Sequence, residues 1–198
     1  MRKISILTVV MCLASFVAIN AQVRIGPKVG MNISNMTLSS SGINMSMSTL
    51  VGFQVGVVAE IPVATDFVIQ PGLLYSSKGT KIDMAGVNSN ERLDYLELPV
   101  NAMYKIELAG PAKLILFAGP YLGYGVGGKD SMTGEKIKFT GANKDFKALD
   151  LGLNFGPGVE IGSLQVTLQY GFSLTNISPE SSVTAKNKVF SIALAYLF

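Results

Sequence analysis

Six charged residues recur in segments rich in apolar residues and glycine: Arg24, Lys28, Glu60, Glu97, Lys105 and Glu160. Gathered in one interior, they could move protons, form a polar path for ions or small solutes, or neutralise one another as buried pairs. Acid–base work by Glu60, Glu97 or Glu160 needs a substrate that reaches them. Isolated buried charges are costly unless paired, and both signs are present here. Pairing is therefore the favoured reading. The commoner catalytic devices are missing. With no histidine, the chain lacks the usual general base and the commonest transition-metal ligand. A Ser–His–Asp triad cannot be built. The one cysteine, Cys12, lies in an apolar N-terminal stretch. No reaction, metal or cofactor is expected.

Gly123, Gly125 and Gly128 have the spacing of a dinucleotide-binding glycine motif. That motif requires a following helix to hold a pyrophosphate. The residues after it, Lys129 to Glu135, read as a loop. Asp83, Asp94, Asp130, Glu135, Asp145 and Glu180 lie in or near polar connections and read as solvated side chains. No EF-hand spacing joins them. The net charge of +3 includes Arg2 and Lys3, so residues 22–198 carry about +1. No basic run suggests nucleic acid.

The elements that would position the six charges alternate with period two, and helical periodicity is absent. Eight strands are expected, near residues 23–35, 50–61, 67–77, 93–106, 114–126, 148–161, 164–174 and 187–198. In the first, Val23, Ile25, Val29, Met31 and Ile33 share one face, and Arg24, Gly26, Lys28, Gly30, Asn32 and Ser34 the other. Tilted strands of about 9–11 residues cross a bilayer. The connections alternate in length. Residues 37–49, 78–92, 127–147 and 175–186 form long polar loops, while 62–66, 107–113 and 162–163 form short turns. Short periplasmic turns and long outer loops are the outer-membrane pattern. An even strand count puts both termini on the periplasmic side.

Charged residues make up 15% of the chain, against roughly 25% in soluble domains. Nothing after residue 21 approaches the ~20 apolar residues of a spanning helix. Hydrocarbon then leaves only a closed barrel. A soluble barrel would also alternate, so the second face decides. It is rich in glycine (Gly56, Gly72, Gly119, Gly123, Gly152, Gly156, Gly171), where a water-facing strand would carry Lys, Glu and Thr. Small residues suit the narrow bore of an eight-stranded barrel. Pro27, Pro71, Pro99, Pro120 and Pro157 fall inside these strands and count against them, or else mark bulges and strand ends near the rim.

Residues 1–21 read as a signal peptide. Arg2 and Lys3 precede an apolar stretch from Ile4 to Ile19, with cleavage expected after Ala21. Residues 22–198 would form one barrel domain.

Five stretches resemble a known family: FVIQPGLLYSSKG (67–79), LDYLELPVNAMYK (93–105), AGPYLGY (118–124), DLGLNFGPGVEI (150–161) and YGFSLTNI (170–177). Together they resemble outer-membrane β-barrels described as porin-family or PorT-like proteins. The alternating end Phe190, Ile192, Leu194, Tyr196 and Phe198 resembles the C-terminal signal read by the barrel-assembly machinery. The resemblance implies an all-β, eight-stranded antiparallel up-and-down transmembrane barrel in the bacterial outer membrane. It implies contact with outer-membrane lipid, a monomer, and no nucleic-acid partner. One relative type is implicated in protein secretion, so secretion-system proteins stay open as partners. The chain departs from the pattern in having no tryptophan, so an aromatic girdle would use Tyr75, Tyr104, Tyr124, Tyr170 and Tyr196. A non-enzymatic barrel with a filled lumen, acting through four outer loops, is the first expectation. A narrow pore or secretion component is the alternative. A soluble lipocalin-like ligand carrier is the rival from another class.

Overall fold

Alternation gives each strand one apolar and one polar or small face, and antiparallel pairing aligns these faces across a sheet. The structure, a computed structural model, describes residues 23–40, 43–84, 87–108, 110–141, 144–180 and 182–198. The expected signal peptide and its cleavage point lie outside them. Nine β-segments follow one another: β1 (Arg24–Ser40), β2 (Ile43–Ser46), β3 (Ser48–Pro62), β4 (Phe67–Met84), β5 (Val87–Glu107), β6 (Ala112–Asp130), β7 (Leu149–Ile161), β8 (Leu164–Ser173) and β9 (Val183–Tyr196). No helix long and apolar enough to cross a membrane occurs among the described residues.

The segments pair antiparallel around the sheet in the order β2-β1-β3-β4-β5-β6-β7-β8-β9, and β9 returns to pair with β1 from Lys28↔Ala195 to Ser40↔Val183. The sheet is thereby closed. β2 does not add a ninth wall position. It pairs with β1 above the point where β3 stops, and only Met47 separates the two. β2 and β3 together form one irregular strand, and the barrel has eight.

Several strands run further into the expected loops than the alternation suggests. β4 reaches Met84 and β5 begins at Val87, so most of the expected loop 78–92 is a hairpin. β1 with β2, the upper end of β6, and the start of β9 likewise take up parts of 37–49, 127–147 and 175–186. The physical reason is that these stretches rise beyond the apolar band. The outward face no longer meets lipid there, and the period-two signal fades.

The apolar face points outward. Leu122, at mid-strand, is 37% exposed, and Phe53, Val55 and Val57 on β3 are similarly open. Lys28, Asn32, Glu60, Gln70, Asn101 and Asp150 point inward and are buried. On β5 the outward apolar residues run from Leu96 to Ile106. At ~3.3 Å per residue and ~45° tilt they cover roughly 25 Å, the height of an outer-membrane apolar band.

The strand prolines sit mostly at mid-wall and not at the rim. Pro71, Pro99, Pro120 and Pro157 coincide with interruptions in the ladders. Pairing skips Ala59–Glu60 against Gln70–Pro71, Gly72–Leu73 against Leu98–Pro99, Val100–Asn101 against Gly119–Pro120, and Gly156–Pro157 against Leu168–Gln169. Proline has no N–H to donate. At Pro120 and Pro157 the preceding glycine supplies the room. A side chain on Gly119 would strike the Val100 carbonyl, and one on Gly156 the Leu168 carbonyl. Crowding by a lumen side chain, Asn154, accounts for Gly171, while at Gly152 the Tyr121 ring and the Phe172 carbonyl are equally close. At Gly56, Gly119 and Gly156 the tight neighbour is instead the adjacent strand's backbone.

Gly156→Ala is expected to destabilise the barrel by roughly 1–3 kcal/mol through overpacking. Gly127→Ala, where a Cβ meets nothing within 4 Å, should be neutral. Urea midpoints of detergent-refolded protein distinguish the two. Leu122→Arg, on the outward face, should cost about 2–4 kcal/mol in a bilayer. Loss of the heat-modifiable folded band on a gel would register it. A harmless Leu122→Arg would reverse the assignment of inside and outside.

Candidate functional site

The inward face places polar groups in a narrow bore, where most need a partner. Near the turn end four charges from four strands close into one network. Arg24 (β1) donates to Glu60 (β3) from Nε at 3.1 Å and also from Nη2. The same Nη2 reaches Glu160 Oε1 (β7) at 2.9 Å. Lys105 Nζ (β5) lies 2.7 Å from both Glu60 Oε1 and Glu160 Oε2. Each carboxylate thus touches both cations. Gln165 (β8) donates to Glu160 at 3.2 Å and to Glu60 at 3.4 Å. Gln70 (β4) donates to Gln165 at 2.9 Å. The network spans the bore from wall to wall.

A second layer lies towards the loop end. Lys78 (β4) forms an ion pair with Glu97 (β5) and stands 3.9 Å from Asp150 Oδ2 (β7). Its ammonium sits 4.5 Å from the Tyr121 ring centre and 5.4 Å from that of Tyr95, distances at which a cation is attracted to the ring face. Asp150, fully buried, accepts from Asn187 at 3.0 Å and from the Tyr121 hydroxyl at 3.4 Å. Above this layer is an apolar cap of Met36, Leu93, Tyr95, Phe139, Ile177 and Ala185. Phe139, from the segment after β6, meets Tyr95 edge-on with centroids 5.6 Å apart.

Of the six charges singled out in the sequence, Arg24, Glu60, Lys105 and Glu160 come together. Glu97 belongs to the other layer. Lys28 is 3% exposed and, among the described residues, has no ion-pair partner within 4.0 Å. Two interior charges fall outside that set of six. Asp150 lies on the expected inward face of its strand. Lys78 falls in an expected loop, although carrying the even-numbered inward parity of Gln70, Gly72 and Ser76 two residues further would place it in the bore. Asp94, expected as a solvated loop acid, lies on β5 within 3.4 Å of Arg92 Nε. Phe190, Ile192, Leu194, Tyr196 and Phe198 all point outward and are exposed.

The arrangement favours charge neutralisation and offers no triad, and no cluster of possible metal ligands occurs among the described residues. A soluble ligand carrier would need the reverse distribution, apolar within and polar without. Lys105→Met should destabilise the barrel by about 3–5 kcal/mol, because it leaves two buried carboxylates sharing Arg24 as their one cation. Lys105→Met combined with Glu60→Gln should cost less than the sum of the single changes. Denaturant unfolding in micelles measures both.

The sequence profile of the family described as "Outer membrane protein beta-barrel domain" matches residues 19–178. No curated protein matches the chain. Neisserial surface protein A shares 16% identity over 87% of this chain and 97% of its own, with a TM-score of 0.48. A major outer membrane protein from Thermus thermophilus shares 14% over 89% of this chain and 100% of its own, at 0.44. The attachment invasion locus protein of Yersinia pestis shares 11% over 88% of this chain and 98% of its own, at 0.45. With the family profile spanning most of its length, the chain belongs to the outer-membrane β-barrel domain family.

Proposed function

We propose that this integral outer-membrane barrel is neither an enzyme nor an open pore, and that it acts through its wall and through a loop end facing the cell exterior. The observation that carries this reading is the bridge made by Lys105 between Glu60 on β3 and Glu160 on β7. It ties opposite walls together across the bore. The Lys78 layer and the Phe139 cap add two further obstructions. The absence of histidine from the whole sequence supports a non-enzymatic role.

Residues 1–21 serve as a signal peptide, and residues 22–198 form the mature barrel with both termini in the periplasm. Phe190, Ile192, Leu194, Tyr196 and Phe198 act as the signal for the barrel-assembly machinery, and the assembled protein is a monomer. The short turns after β3, β5 and β7 lie at the same end as the termini, which supports this orientation.

Planar-bilayer recording of the refolded protein tests the closed bore. The expected result is no steady conductance. Sustained single-channel current would establish the narrow-pore reading instead. Cross-linked pull-down from native membranes is expected to capture envelope proteins through the loop end. Recovery of secretion components would favour the secretion reading.

A further inference from the structure

Directly opposed residues of an antiparallel pair share a face, with Cβ atoms roughly 4.5–5.5 Å apart, and like charges so placed repel. Three cations nonetheless form such a row near the loop end. Arg92 of β5 is opposite Lys129 of β6. Lys129 in turn bridges to Lys136 in the segment that follows. All three are exposed. Arg92 is partly offset by Asp94 at 3.4 Å. Among the described residues, Lys129 and Lys136 have no ion-pair partner within 4.0 Å.

The neighbouring acids do not relieve the row. Glu91 and Asp130 face each other one residue along, and successive residues of a strand take opposite faces. Asp130 accepts from the Met132 amide at 2.7 Å and the Ser89 hydroxyl at 2.8 Å. Those bonds hold its carboxyl below the usual range and tie it to its own turn.

Arg92 and Lys129 line an open pocket of about 610 Å³ together with Asn90, Ser131, Leu50 and Val51. Val51 is 64% exposed and begins the outward row that continues through Phe53, Val55 and Val57. Arg92 lies four residues beyond Leu96, the last outward apolar residue of β5. That is roughly 10 Å along the membrane normal, the level of lipid head groups and not of acyl chains.

We propose that the Arg92–Lys129–Lys136 row binds the phosphates of a phosphorylated glycolipid in the outer leaflet, whose acyl chains lie along Val51 and the wall below. A bridging phosphate would turn a repulsive row into three charge-assisted contacts. A lipid is favoured over a free anion because the pocket opens directly onto the apolar band. The placement rests on the loop end facing the cell exterior.

Binding of fluorescent bisphosphorylated lipid A to the full chain in uncharged detergent tests it. Arg92→Gln with Lys129→Gln and Lys136→Gln should weaken binding by about tenfold or more, as expected for lost charge-assisted contacts. Lys144→Gln with Lys147→Gln and Lys186→Gln removes the same charge from the same end and should leave affinity nearly unchanged. Equal losses in both triple variants, or none in the first, would overturn the site. Inorganic phosphate or the deacylated phosphosugar binding as tightly as the intact lipid would overturn its lipid nature. A retained heat-modifiable band establishes that each variant is folded. Orientation has its own readout: Thr133→Cys on intact cells should react with a membrane-impermeant maleimide. Absence of labelling beside intact detergent binding would place the site in the wrong leaflet and overturn the outer-leaflet assignment.

Discussion

The structure depends on one requirement: a backbone in hydrocarbon must satisfy its own N–H and C=O groups. A sheet meets it only by closing, and the β1–β9 pairing provides the closure. The need for antiparallel neighbours of similar length follows from it. So does the inversion of ordinary solubility logic, with apolar side chains outside and polar ones within. The Gly–Pro interruptions are local departures from the rule. Glycine brings neighbouring carbonyls close where proline has removed a donor.

Closure creates a second problem, the content of the bore. Eight strands leave space for side chains and little else. Among the described residues the interior holds four cations, Arg24, Lys28, Lys78 and Lys105, against four carboxylates, Glu60, Glu97, Asp150 and Glu160. Opposite charges meet within each layer as well as balancing overall. In the lower layer every carboxylate touches both cations, so no charge depends on a single contact. In the upper layer two aromatic faces help hold Lys78. Polar filling of this kind gives the inward face its identity, while the outward face gains its stability from lipid.

Much of this is legible in the chain. Alternation yields the eight wall positions and the correct face for Leu122, Glu60 and Lys105, because in the apolar band the two faces meet different surroundings. The hairpins beyond the band, such as Lys78 to Arg92, look like loops because that contrast disappears there. Lys78 escapes the interior for this reason, and the upper layer with it. The cap is also invisible. Phe139 looks like a stray aromatic in a polar stretch until the fold brings Tyr95 beneath it. The prolines resist placement because sequence alone cannot show which ladder bonds a strand can lose.

The lower charge network has a consequence for biogenesis. Arg24 and Glu160 are 136 positions apart, and Glu60 and Lys105 lie between them. A nascent barrel holding only its earlier staves would carry Arg24, Glu60 and Lys105 with one counter-ion missing, on a surface still open to the greasy phase. Such an intermediate is poorly tolerated by lipid. The missing counter-ion arrives only when β7 brings Glu160 into the sheet, so the lower layer becomes neutral late in the closing of the wall.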